Sequence, residues 1–189
     1  MKRPTPGRIH SPATREAAPG ILWVALLFPG IIQVNRSFQI EMEEGTLYGL
    51  ILSPVDRGIL FLGKFLANWL FLMVVDLVVL FLFLIFYNFS LSLQVLWIAL
   101  LVVLSGFGFA AVGTLFGAMV SNIRTREVLL PILLFPIILP IILPAVNATQ
   151  EVLLFQEIQS LNRSVGFLVC FDVIYVAAGF LLFDYVVSD

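Results

Sequence analysis

The sequence predicts an all-α, polytopic helical membrane protein, and three observations predict it. Of 189 residues, 61% are hydrophobic and 12% charged, against about 45–50% and about 25% in a soluble domain. Mean hydropathy is +1.09, and eighteen Phe among long Leu, Ile and Val runs exceed what one soluble core can hide. The apolar stretches are continuous rather than alternating at every second residue, which selects spanning helices over a barrel. The same composition excludes a disordered chain. A net charge of −2 supplies no basic field for nucleic acid. With one Cys and one His, neither an intramolecular disulfide nor a Cys/His metal cluster is available.

A spanning helix needs about 20 mostly apolar residues to cross roughly 30 Å of hydrocarbon. Residues 1–19 form a polar, Pro-rich tail, and residues 20–187 hold five spans in one transmembrane domain. The first, 20–34, is short and interrupted by Pro29-Gly30. The second, 58–87, is longer than needed, so Lys64 is expected to snorkel to the headgroups. The third covers 93–120. The fourth, 128–146, is punctuated by Pro131, Pro136, Pro140 and Pro144, and the fifth covers 165–187.

Lys/Arg bias sets the orientation. Residues 35–57 hold Arg36 and Arg57, with Lys64 just beyond, and 121–127 hold Arg124 and Arg126. Residues 88–92 carry no charge, and 147–164 carry one Arg, Arg163. The first two segments are therefore expected in the cytoplasm. Five spans then put the tail outside, against its Lys2, Arg3, Arg8 and Arg15. A helix missing ahead of Gly20 would remove the conflict.

Within 35–58, Phe38, Met42, Leu47, Leu50 and Ile51 approximate a helical stripe, with Glu41, Glu43 and Glu44 on other faces. That pattern reads as an amphipathic helix on the membrane surface. After it, Ser53 is expected as an N-cap, Pro54 as the first helical residue and Asp56 as the carboxylate of a capping box. A docking surface for a cytosolic partner and a plain solvated loop both fit these residues.

The motifs divide into chemistry and packing. Gly58 to Lys64 has G-x-x-x-x-G-K spacing, but Phe65 stands where a Mg²⁺-binding hydroxyl belongs and no strand precedes it. The chain therefore carries no ATPase of its own. Asp76 and Asp172 lie inside spans, where a carboxylate costs roughly 2.5–3.5 kcal/mol on insertion scales and marks a functional position by default. Asn68, Ser or backbone groups are their expected partners otherwise, and Asp172 is expected nearer its helix end. Gly106, Ala110, Gly113 and Gly117 form a small-residue face for close helix packing, within the chain or across a two-fold interface. The four prolines of the fourth span are expected to kink or break it, forming a hinge or a cavity lining, with a static re-entrant feature as the alternative. No arrangement of His10, the Met residues or Tyr175 builds a haem site, so no catalytic, metal or directly bound cofactor residue is expected.

The run NRSFQIEMEEGTLYGLILSPVDRGILFLGK, residues 35–64, resembles the haem exporter protein B (CcmB) family, the type-2 ABC export permease of bacterial cytochrome c maturation. GILWVALLF (20–28), GFGFAAVGTLFGAM (106–119), REVLLPILLFPIILPIILPAV (126–146) and FDVIYVAAGFLLFDYV (171–186) extend the resemblance in the family's order. The resemblance implies six helices, of which the first is absent here, and a multi-pass protein of the bacterial inner membrane. It implies a non-catalytic permease, two copies per complex, that binds a separate cytosolic ATPase (CcmA-like) on which ATP is hydrolysed. Glu41, Glu43, Glu44, Gly45, Ser53, Pro54, Val55, Asp56 and Arg57 would form the coupling segment. CcmC- and CcmD-like membrane proteins and a CcmE-like haem chaperone are the further partners it implies. Haem is then the cargo of the pathway, and ATP hydrolysis releases the haem-loaded chaperone. A general ABC export permease for a lipid, polysaccharide or drug, or a truncated copy that does not couple, are the alternatives.

Overall fold

A computed structural model describes residues 12–44, 49, 55–87, 93–121, 123, 125–155 and 161–188. Five long helices run through them: α1 (Pro12–Glu43), α2 (Arg57–Phe86), α3 (Leu93–Val120), α4 (Arg126–Gln150) and α5 (Leu161–Ser188). The chain continues from α4 into a π turn at Glu151–Phe155. All five helices are long and apolar enough to cross a membrane, and no strand occurs among the described residues.

α3 is the axis of the bundle. It packs against each of the other four helices, which close a ring around it through the contacts α1–α2, α2–α5, α5–α4 and α4–α1. A helix surrounded in this way must be apolar on every face and thin enough for four neighbours. Gly106, Gly108, Ala110, Ala111, Gly113 and Gly117 of α3 are all buried, and these small residues provide that thinness. The ring helices keep large apolar side chains on their outer faces, such as Phe28, Phe71, Phe81 and Leu181, as lipid requires.

Two apolar clusters fill the bundle. One, at the Thr149 end, includes Leu22, Trp23, Ile98, Leu101, Ile141 and Leu168. The other, at the Lys64 end, gathers Phe38, Phe61, Phe65, Phe109, Leu134 and Phe183. Phe65 and Trp69 both meet Phe107 edge-on, at ring-centroid distances of 4.7 and 5.2 Å, a geometry that aromatic quadrupoles favour.

Several expected boundaries are corrected. Residues 12–19, expected in the polar tail, open α1, with Pro12 in the first position, where its missing N–H costs nothing. α1 also does not stop at Val34, and no separate surface helix begins at Asn35. Leu22, Leu26, Val34 and Phe38 are buried and Gly30 faces in, so a stripe spaced by four runs straight through Asn35-Arg36-Ser37. Phe38, expected at the membrane surface, is 2% exposed. Pro29-Gly30 does not interrupt the helix.

The expected break in the fourth span is absent too. Pro131, Pro136, Pro140 and Pro144 all sit inside the continuous α4. None is on its buried face, which is made by Leu130, Leu134, Ile138, Ile141, Ala145 and Ala148. Neighbouring helices can satisfy backbone groups that proline frees. The carbonyl that Pro140 leaves without its helical donor is that of Pro136; Tyr175 of α5 donates its hydroxyl to the neighbouring Ile137 carbonyl at 2.6 Å, tying α5 to the middle of α4. The stretch from Gly58 to Lys64, with its P-loop spacing, is plain helix within α2.

Candidate functional site

Polar groups in this bundle are few, and most of the buried ones lie on α3 or against it. At the Lys64 end, Glu41 of α1 accepts a hydrogen bond from the Lys64 ammonium of α2 in an ion pair. The same ammonium lies 3.7 Å from the centroid of the Phe38 ring, within cation–π range. Lys64 therefore does not snorkel outward as expected: its side chain is 10% exposed, because α1 extends far enough to bring Glu41 over it. Glu43 accepts from Gln39 Nε2 at 2.8 Å, and both Glu43 and Glu44 are exposed.

The start of α2 is also corrected. Asp56, not Ser53, is the N-cap: its Oδ1 accepts from the Gly58 amide at 2.8 Å, and helical geometry begins at Arg57. A short carboxylate at this position satisfies an amide that has no partner within the helix. Val55 and Asp56 are exposed. Arg57 Nη1 lies 3.2 Å from Asp184 Oδ1 and donates to the Asp184 carbonyl at 3.3 Å, tying the start of α2 to the end of α5. Gly45, Ser53 and Pro54, with Leu47, Leu50 and Ile51, lie outside the described residues.

One level deeper, Gln33 Nε2 donates to Asn68 Oδ1 at 3.1 Å, and Asn68 Nδ2 donates to Thr114 Oγ1 at 2.9 Å. This chain links α1, α2 and α3. It escaped the sequence reading, although Asn68 and Thr114 inside apolar spans are the signal that could have found it. It also means that Asn68, an expected partner for Asp76, is committed elsewhere.

Asp76 and Asp172 are 5% and 3% exposed. Asp76 Oδ1 and both carboxyl oxygens of Asp172 have no hydrogen-bond partner, although buried polar atoms nearly always have one. α3 makes room for both. A Cβ at Gly106 would stand 3.1 Å from Asp76 Oδ2, and any side chain at Gly108 would collide with Asp172 Oδ1 and with Ile141. Asp172, expected nearer its helix end, is thus level with Asp76: α3 rises about 3 Å over two residues. Gly106 and Gly108 lie at the middle of the 28-residue α3, so both carboxyls sit where insertion is costliest.

The small-residue face serves two neighbours. Gly113 and Gly117 receive Val34 and Phe38 of α1, which a Cβ would meet at 2.7 and 2.6 Å, whereas Gly106 receives Asp76 of α2. Ala110, between them, is fully buried. Among the described residues, no three His, Cys, Asp or Glu side chains come together as a metal would need.

The family model described as CcmB protein matches residues 10–181, most of the chain, from the start of α1 into α5. Proteins named Heme exporter protein B align over a shorter stretch. That of Escherichia coli (strain K12) is 36% identical over 53 residues, 28% of this chain and 24% of the relative. The Pseudomonas aeruginosa (strain PAO1) protein is 37% identical over 54 residues, 29% of this chain and 24% of the relative. The alignments thus span about a quarter of those relatives' length. The match across residues 10–181, on five apolar helices, shows that the chain belongs to the CcmB protein family.

Proposed function

We propose that this chain is the membrane permease subunit of an ABC-type complex for haem export and cytochrome c maturation, driven by a separate cytosolic ATPase. The observation that carries the reading is the CcmB family match over residues 10–181, supported by relatives named Heme exporter protein B. Haem is cargo of the pathway, ATP is bound and hydrolysed on the partner, and the permease itself does no covalent chemistry. Two copies assemble in the bacterial inner membrane with CcmC- and CcmD-like proteins, and hydrolysis releases the haem-loaded CcmE-like chaperone.

The Lys64 end is the cytoplasmic face in this reading, and residues 41–57 receive the ATPase. A push on that segment has two routes inward. Asp56 caps α2, and the Arg57–Asp184 pair engages α5. α2 and α5 are the helices that carry Asp76 and Asp172 against α3. A displacement of either helix relative to α3 therefore changes the surroundings of a buried carboxyl.

Co-expression with a CcmA-like ATPase tests the proposal. The ATPase should be recovered from membranes with the tagged permease and should hydrolyse ATP faster in its presence. An ATPase that stays in the soluble fraction under these conditions would contradict it.

A further inference from the structure

Asp172 of α5 is closed in from two sides. A side chain at Gly108 of α3 would collide with its Oδ1 and with Ile141 of α4, so backbone and an apolar side chain bound the carboxyl. Both of its oxygens are buried without a hydrogen-bond partner. Asp76 is the weaker case, since only its Oδ1 is both buried and unpartnered.

No charge compensates Asp172 among the described residues. α3 carries no titratable side chain at all. On α4, Arg126 and Glu127 lie at least fourteen residues from Ile141, roughly 20 Å along the helix. On α2, Arg57 is engaged with Asp184 and Lys64 with Glu41, and Asp76 stands across α3 at Gly106. On α5 itself, Arg163 is nine residues away, roughly 14 Å, and Cys170 is exposed. Tyr185 and Asp184 belong to the far end of the helix. Tyr175, three residues on, is within electrostatic reach, but its hydroxyl is given to the Ile137 carbonyl. An ionised carboxylate here would have neither water, donor nor cation in place of its hydration, and a lone buried ion of this kind takes up a proton instead. The neutral acid forgoes hydrogen bonds, whereas the ion would forgo its whole hydration shell.

We propose that Asp172 is a proton-binding site: its carboxyl is a neutral acid while α5 is packed on α3 and α4, and it ionises only when α5 draws away from them. On opening, the proton passes to the water that enters and the carboxylate stays on α5. On closing, one proton is taken back. Packing of α5 against Gly108 and Ile141 is therefore coupled to the uptake of one proton. The site does not depend on which complex the permease serves.

Infrared spectroscopy of the full chain in nanodiscs at neutral pH tests the site, because a neutral carboxylic acid has a C=O stretching band of its own that a carboxylate lacks. The unaltered chain should show that band, and Asp172→Asn, which keeps the shape and removes the acid, should weaken or abolish it. Transferred to D₂O, the band should move to its deuterated position several times more slowly than amides outside the helices exchange, because the proton is sealed until α5 moves. Asp76→Asn leaves Asp172 in place and keeps the test open if Asp172→Asn inserts poorly: the acid band should persist in it. Absence of the band from the unaltered chain, a band undiminished in Asp172→Asn, its complete loss in Asp76→Asn, or its immediate shift in D₂O would each overturn the proposal.

Discussion

Asp76 of α2 and Asp172 of α5 stand against the central helix α3 only two residues apart, at Gly106 and Gly108, on nearly opposite sides. Neither is in an ion pair among the described residues. Stability alone would discard them, since a carboxylate at mid-helix costs roughly 2.5–3.5 kcal/mol on insertion scales. Two such groups level with each other at the thinnest part of the axis are candidates for a functional role, which two variants test. Asp76→Leu and Asp172→Asn should each leave insertion unchanged or improved and raise thermal stability in detergent. Cytochrome maturation should fall. Unaltered maturation in both variants would remove the functional role of the carboxyls.

The α1–α3 contact depends on Gly30 of α1, against Phe109, and on two glycines of α3. A methyl group at Gly117 would meet Phe38 at 2.6 Å, and one at Gly113 would meet Val34 at 2.7 Å. Gly117→Ala should therefore destabilise the bundle by about 1–3 kcal/mol through overpacking. Gly63 lies mid-helix with open space around it. There, Gly63→Ala should stabilise by about 0.5–1 kcal/mol, the usual gain in a helix interior. Thermal unfolding of both variants in the same detergent makes the comparison.

The Glu41–Lys64 pair should behave as a unit. Removing the carboxylate with Glu41→Leu leaves a mostly buried ammonium facing the Phe38 ring. The double variant Glu41→Leu/Lys64→Met removes that stranded charge as well. The double should be more stable than Glu41→Leu alone, with a coupling of about 0.5–3 kcal/mol. Additive losses in the double-mutant cycle would show that the pair contributes nothing.

Much of the fold was legible because lipid leaves few alternatives: α2 and α3 fall within a residue of their expected ends. α1 was misjudged because Asn35-Arg36-Ser37 reads as a cytoplasmic loop in a hydropathy window. The i, i+4 stripe from Leu22 to Phe38 decides the matter instead, and it turns those three residues away from the core. The prolines of α4 were misread for a related reason. A missing N–H predicts a break, but rings off the buried face need no room in the core, and α4 runs on through all four prolines. Asp76 and Asp172 stood out in the sequence as charges in apolar runs. That they share one level was hidden, because it depends on how far α2 and α5 each slide along α3.

The proposed coupling segment is tested by separating the helix cap from the docking role proposed for it. Asp56→Ala alone should cost about 0.5–2 kcal/mol of helix stability, and Arg57→Ala less than about 1 kcal/mol, since its pair with Asp184 is exposed. Replacing Ser53, Pro54 and Asp56 together should abolish ATPase association while insertion persists. Co-purification of the ATPase at the original ratio with the triple variant would place docking elsewhere.

The most direct measurement is haem staining of c-type cytochromes in a bacterial host deleted for its own CcmB-like permease. This chain is supplied with a CcmA-like ATPase, and its membrane insertion is followed in parallel. Stained c-type cytochromes should reappear, and disappear again when the ATPase cannot hydrolyse ATP. A fully inserted chain that restores no staining would contradict a role in cytochrome c maturation.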